Sequence, residues 1–120
     1  MCRLLQDSEQ EVRQAAAGKV GDFSSALEQS TRSDVIINVL LEHLHRLHSD
    51  SSQHVRTALA KVLMGLAPLV GKQHTIQHFL PLYLNMLKDE CAEVRLNIIT
   101  SLDSLNSVIF LIVKKCLFQL

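Results

Sequence analysis

One seven-residue pattern occurs three times in this chain and divides it into units of similar length. Each copy begins with Asp, continues with four mostly polar residues, and ends with Val-Arg before an apolar run. The copies occupy residues 7–13, 50–56 and 89–95. Arg56 follows Arg13 by 43 residues, and Arg95 follows Arg56 by 39 residues. The chain is therefore built from a repeated unit.

A period of about forty residues is typical of two-helix solenoid repeats of the HEAT and armadillo kind. Between the motifs, apolar residues recur at intervals of three and four, and no segment alternates with period two, so every element is predicted to be a helix. We predict helices over about 12–27, 35–48, 55–70, 74–87 and 92–109. Residues 30–34 supply turn and N-cap chemistry, Gly71 ends a helix, and Pro81 should bend the helix that contains it. The predicted fold is an all-α solenoid of antiparallel helix pairs.

The motif positions also predict the domain organisation. We expect a single segment over residues 1–120, with a partial repeat at about 1–30 and full repeats at 31–71 and 72–109. Residues 110–120 form a divergent hydrophobic tail, because they contain no turn residue where another repeat should begin.

The composition excludes several classes of function. Lys+Arg and Asp+Glu both number 12, and only 4% of residues are aromatic, so neither charge nor base stacking favours nucleic acid. The longest apolar run, Val108 to Val113, is far shorter than the roughly 20 residues of a membrane span. Three scattered cysteines suit a reducing compartment. We expect a cytoplasmic protein, with the nucleus as a second location, and no nucleic-acid or membrane partner.

Each residue type of the motif suggests a structural role. The Asp can accept backbone N–H bonds at the start of the following helix, and the Val should face the core. The Arg can pair with an acidic group of the adjacent repeat, which would align the repeats through exposed pairs worth about 0–1 kcal/mol each. The alternative is plain helix capping by Asp with a solvated Arg.

The sequence gives no sign of catalysis, a metal or a cofactor. His74 and His78 have the i, i+4 spacing of helical metal ligands, but no Glu or Cys nearby completes a set. Cys91 lies at a predicted helix start that could lower its thiol pKa, yet no base and orienting group accompany it. We therefore expect no enzyme activity, and no catalytic, metal or cofactor-binding residues.

Four segments of the chain closely resemble the scaffold (A, 65 kDa-type) regulatory subunits of protein phosphatase 2A. The resemblance is carried by residues 53–60, 64–68, 80–84 and 87–99, the last continuing into Leu102-Asp103, and it extends over roughly residues 4–109. It implies a non-catalytic horseshoe of HEAT repeats, of which this chain is a piece from the middle of the array.

The resemblance also implies where partners bind. In the family, the turns within the repeats form a ridge that holds an exchangeable regulatory (B-type) subunit together with a catalytic subunit. By position, this ridge comprises residues 6–10, 49–54 and 88–92. The candidate contact residues are Asp7, Glu9, Ser49, Asp50, Gln53, His54, Arg56, Lys88, Asp89, Glu90 and Arg95. The catalytic subunit engages C-terminal repeats of the family, so we expect contact chiefly with a regulatory subunit. The alternative function is a generic HEAT or armadillo-type adaptor.

The number of repeats predicts how the isolated chain behaves. A repeat stack needs about three units and polar caps for stability. This chain offers about two complete repeats and neither end has the composition of a cap, so we expect a fragment of marginal stability that self-associates.

Overall fold

The computed structural model describes residues 1–100, and this part of the chain consists of helices joined by short turns, without any strand. The α-helices are α1 (Cys2–Leu5), α2 (Gln10–Ala26), α3 (Gln29–Val35), α4 (Leu41–Leu47), α5 (Gln53–Val70), α6 (Lys72–His74), α7 (Leu80–Met86) and α8 (Ala92–Thr100). Two π-helical turns, Ile36–Leu40 and Thr75–Phe79, join α3 to α4 and α6 to α7 without a break. The all-α prediction is confirmed. The predicted tail at 110–120, and the end of the last predicted helix, lie outside the described residues.

The helices form two layers. In one layer α2, α5 and α8 lie side by side, with α5 in the centre. The continuous helices 29–47 and 72–86 contribute the other layer and contact α5 from that side. The smallest dimension of the molecule is 18 Å, which is close to two helix diameters. The fold therefore presents the turns that precede α2, α5 and α8 along one edge.

The core is made of leucine-rich stripes at helical spacing. Leu40, Leu44 and Leu47 of the continuous helix 29–47 are almost completely buried. The central helix α5 is buried on several faces, because α2 and α8 pack on its two sides and the helices of the second layer pack against a third face. Apolar spacing alone does not describe the buried face of α2, because that face includes Ser24 and leaves Phe23 36% exposed.

The predicted turn at residues 30–34 is also wrong. The chain turns earlier, at Leu27 and Glu28, whose backbones are extended, and the helix begins at Gln29. Arg32 stabilises this arrangement, because its Nη2 donates to the carbonyls of Ser25 (2.9 Å) and Leu27 (3.0 Å). A side chain from within the new helix thus satisfies carbonyls at the end of α2.

Gly71 and Pro81, which the sequence marks as breaks in helix regularity, lie at the end of α5 and beside a π-helical turn. Gly71 ends α5 with φ +86°, which confirms it as the stop of that helix. Pro81 lies in the first turn of α7, directly after the π-helical turn Thr75–Phe79. Proline has no backbone N–H to donate, and Pro81 lies just after a π-helical turn, where regular α-helical hydrogen bonding is already interrupted.

Candidate functional site

The three motif aspartates shape the turns that precede α2, α5 and α8. In each turn the carboxylate accepts a hydrogen bond from the backbone N–H two residues later. The three bonds are Asp7 with Glu9 (2.9 Å), Asp50 with Ser52 (2.9 Å) and Asp89 with Cys91 (2.8 Å). The donor lies just outside the helix, whereas the sequence led us to expect a donor within its first turn. The aspartate therefore fixes the turn itself.

Arginine side chains connect each turn to the next. Arg13 donates from Nε (2.8 Å) and Nη2 (3.1 Å) to the two carboxylate oxygens of Asp50. Arg56 makes the same two-pronged contact with Asp89, at 2.9 and 3.3 Å. The predicted pairing between adjacent repeats is present, and its bidentate geometry fixes both distance and orientation.

Each arginine also holds the turn of its own motif. The Nη1 atom of Arg13 donates to the carbonyl of Asp7 (2.8 Å), and that of Arg56 donates to the carbonyl of Asp50 (2.7 Å). Arg95 donates in the same way to the carbonyl of Asp89. One guanidinium thus joins two consecutive turns, and Asp50 takes part in both kinds of contact.

The pairs are far less exposed than the sequence suggested. The side chains of Arg56 and Asp89 are 8% and 9% exposed, and those of Arg13 and Asp50 are 17% and 9% exposed. Burial alone would raise the pKa of Asp50. The hydrogen bonds from Arg13 and from the Ser52 N–H, with the positive charge of Arg13 and Arg56, outweigh burial and lower this pKa. The carboxylate is therefore held in its charged form.

The candidate ridge residues fall into two groups. Asp50, Arg56 and Asp89 face into the ion pairs and form the base of the ridge, while Asp7 and Arg95 lie half-buried at its two ends. The exposed members of the set are Glu9, Ser49, Gln53, His54, Lys88 and Glu90. The side chain of Glu90 is 91% exposed although Glu90 Oε1 lies 3.8 Å from Arg56. The exposed group is the part of the ridge that another protein can contact.

Beside the ridge, a groove of about 480 Å³ runs between α2 and α5. Gly18, Gly21 and Gly65 contribute to its walls. A Cβ atom on Gly21 would lie 3.2 Å from Cγ2 of Val62, so this glycine permits close helix packing, whereas Gly18 and Gly65 border open space. The sequence did not predict the groove, because the groove depends on how two helices that are distant in the sequence align.

Residues 1–100 contain no group of three or more His, Cys, Asp or Glu side chains placed to hold a metal ion. The rings of His74 and His78 stack with centroids 5.8 Å apart. Within the same part of the chain, no helix combines the length and apolar character needed to cross a membrane.

Comparison with known proteins connects this architecture to one group. Residues 1–71 match a family model described as PPP2R1A-like HEAT repeat, and residues 79–109 match a HEAT-repeat model. The chain is 52% identical over 105 residues to the beta isoform of the human serine/threonine-protein phosphatase 2A 65 kDa regulatory (A) subunit, covering 88% of this chain and 18% of that protein.

Similar relatives occur in other animals. Identity is 54% over 89 residues to the mouse A beta isoform, which covers 74% of this chain and 15% of the mouse protein. The Drosophila melanogaster serine/threonine-protein phosphatase PP2A 65 kDa regulatory subunit is 49% identical over 65 residues, covering 54% of this chain and 11% of the fly protein. The chain thus spans less than a fifth of the length of these relatives.

Proposed function

The chain belongs to the PPP2R1A-like HEAT-repeat family, and from this membership we propose that it is a non-catalytic scaffold segment of a protein phosphatase 2A holoenzyme. In this role its turns contact a regulatory (B-type) subunit, while catalysis resides in a separate subunit. The names of the relatives, which are 65 kDa regulatory subunits of this phosphatase, support the proposal.

The observation that carries the proposal is the row of turns joined by arginine–aspartate pairs. Arg13 and Arg56 each hold two turns in a fixed relation, so the exposed side chains between them form a preorganised surface. A surface that is already ordered loses less conformational entropy on binding, which favours affinity for a partner. The exposed side chains are polar or charged, as expected for a subunit interface that forms and dissociates.

Binding to purified subunits tests this proposal. Immobilised chain should retain a B-type regulatory subunit, and retention should fall when Glu90→Lys reverses an exposed charge of the ridge. Lys72→Glu is the matched control, since it reverses an exposed charge at the start of the helix 72–86, at the end opposite the third turn. We expect this control to bind like the unaltered chain.

The catalytic subunit provides a second measurement. Because the family resemblance connects that subunit with C-terminal repeats, we expect this chain to retain it only when a regulatory subunit is also present. A chain that retains neither subunit would contradict the proposed function. Equal loss of binding in Glu90→Lys and Lys72→Glu would contradict the assignment to the ridge.

The cysteines support a proposal about location. Cys2 and Cys91 are free thiols in the described part of the chain, as is usual in reducing compartments. We propose the cytoplasm, with the nucleus as a second compartment; fluorescence microscopy of the tagged chain would test this.

A further inference from the structure

The groove between α2 and α5 is lined in large part by small residues. Gly18 and Gly65 border it, and a Cβ atom placed on either would meet no atom within 4 Å. Ala58 and Val62 of α5 add apolar lining. Because these side chains are small or absent, another main chain can approach the two helices closely. The groove volume of about 480 Å³ is in the range of sites that bind ligands.

One buried polar group of the groove has no partner. Thr57 lines the groove with only 6% of the residue exposed, and its hydroxyl makes no hydrogen bond with residues 1–100. Most buried polar groups in native proteins are bonded, and threonine in a helix adopts two rotamers, so this hydroxyl can turn towards an occupant. Gln14 and Ser25 of α2 are polar, uncharged lining residues. Hydroxyl and amide side chains both donate and accept, which matches the N–H and C=O groups of a peptide.

The charged side chains of the groove alternate in sign from helix to helix. Asp22 lies on α2, Lys61 on α5 and Glu93 on α8, and α5 lies between the other two helices. All three residues are exposed. Lys61 and Glu93 form no ion pair with residues 1–100, and Asp22 has only a contact of 3.9 Å with the exposed Lys19. The order across the layer is therefore negative, positive, negative.

We propose that the groove binds an extended peptide segment of a partner protein, in which basic, acidic and basic side chains follow one another. The basic side chains pair with Asp22 and Glu93, and the acidic one pairs with Lys61. A backbone amide group of the segment bonds to the Thr57 hydroxyl.

The spacing of the helices favours a chain over a compact small molecule. Neighbouring helices pack about 8–10 Å apart, so the helices of Asp22 and Glu93 are separated by about 16–20 Å. An extended chain advances about 3.3 Å per residue, so charges three residues apart match successive helices. The proposal needs no phosphatase subunit and goes beyond the function proposed above.

Fluorescence polarisation with labelled peptides tests the charge order. The probe is fluorescein-labelled, C-terminally amidated Lys-Thr-Val-Glu-Thr-Val-Lys, whose β-branched residues favour the extended form. The comparison peptide, Glu-Thr-Val-Lys-Thr-Val-Glu, reverses every charge. The unaltered chain should bind the probe about tenfold or more tightly than the comparison peptide. Equal affinity for the two peptides, or no saturable binding of the probe, would overturn the proposal.

Two variants locate the binding in the groove. Gly18→Leu fills the groove and places a better helix former in α2, so it should stay folded by circular dichroism and weaken probe binding by about tenfold or more. Thr57→Val removes a hydroxyl that has no partner, so it should unfold at the same or a higher urea concentration and bind the probe about fivefold more weakly. Normal probe binding by folded Gly18→Leu would overturn the proposal.

Charge exchange tests the central pair. Lys61→Glu should lose affinity for the probe and should prefer a peptide with lysine at its centre, Lys-Thr-Val-Lys-Thr-Val-Lys, because opposite charges again meet. Lys72→Glu reverses an exposed charge outside the groove and should bind the probe like the unaltered chain. Equal loss in Lys61→Glu and Lys72→Glu, or an unchanged peptide preference in Lys61→Glu, would contradict the proposed pairing.

Discussion

Arg56 is the least exposed of the three motif arginines. Its guanidinium binds the Asp89 carboxylate and the Asp50 carbonyl while only 8% of the side chain is exposed. Arg56→Ala should lower the free energy of unfolding by about 3 kcal/mol, because the substitution leaves a buried carboxylate without its partner. Urea unfolding followed by circular dichroism measures this loss.

Arg46 provides the control for Arg56. It forms an i, i+4 pair with Glu42 in which both side chains are more than half exposed. Arg46→Ala should therefore change the free energy of unfolding by only about 0.5 kcal/mol. Similar losses in the two variants would show that burial of the Arg56–Asp89 pair has no energetic consequence.

His45 makes the stability of the chain depend on pH. Burial lowers the pKa of its imidazole below the ordinary value of 6.5, and the nearby His48 and His78 lower it further. The unfolded chain therefore binds this proton more readily. Stability from the neutral imidazole is complete above about pH 6.5 and is lost as the pH falls through the folded-state pKa.

Replacement of His45 should remove this dependence. In His45→Gln, the change in urea midpoint between pH 7 and the onset of carboxylate protonation should be smaller than in the unaltered chain. Parallel pH curves for the two proteins would contradict the role of His45.

The sequence predicted the chemistry of the motif residues better than their environment. Pairing of each Arg with an acid of the next repeat followed from the charges and their regular spacing. Burial of Arg56 could not be predicted locally, because the third turn, some thirty residues away, covers its side chain. The acceptor role of Asp50 was predicted, but its N–H donor depends on a turn conformation that the residue types alone do not specify.

At the scale of single elements, a glycine inside α5 and the glycine at its end have opposite roles. Gly71 ends α5 at φ +86° and ψ 169°, a conformation that residues with a Cβ avoid. Gly71→Ala should therefore destabilise the chain by about 1–3 kcal/mol. Gly65 lies inside α5 and a Cβ there meets no atom within 4 Å, so Gly65→Ala should stabilise it by about 1 kcal/mol. Thermal and urea unfolding of both variants measures the difference, and changes of the same sign would contradict it.

The helices themselves were largely predictable, but the interruptions within them were not. Leucine spacing identified the long helices, and Gly71 identified one end. The π-helical turns Ile36–Leu40 and Thr75–Phe79 have no shared residue signal, since proline follows only the second. They lie 39 residues apart, at equivalent places in two repeats. Their common cause is thus the packing of these helices in the repeat, which a local pattern does not contain. The early start of the helix at Gln29 likewise depends on a contact from Arg32 back to α2.

For the molecule as a whole, the order of the helices determines where it is most stable. Helix α5 lies between α2 and α8 and also contacts the helices of the second layer, whereas α2 and α8 each have a helix of their own layer on only one side in the described residues. In a linear stack, stability arises from contacts between neighbours, so a central unit opens less often than a terminal one. Hydrogen exchange followed by mass spectrometry should therefore show the slowest exchange in α5, around Leu59 and Leu63, which are fully buried. The comparison is made at low protein concentration, where self-association does not protect the end helices.

Arg56→Ala should accelerate exchange in the third turn and in α8 more than in α1, because it removes a connection between the second and third turns. Uniform protection across all helices would mean that the chain opens as one cooperative unit, and would contradict this stacked description of its stability.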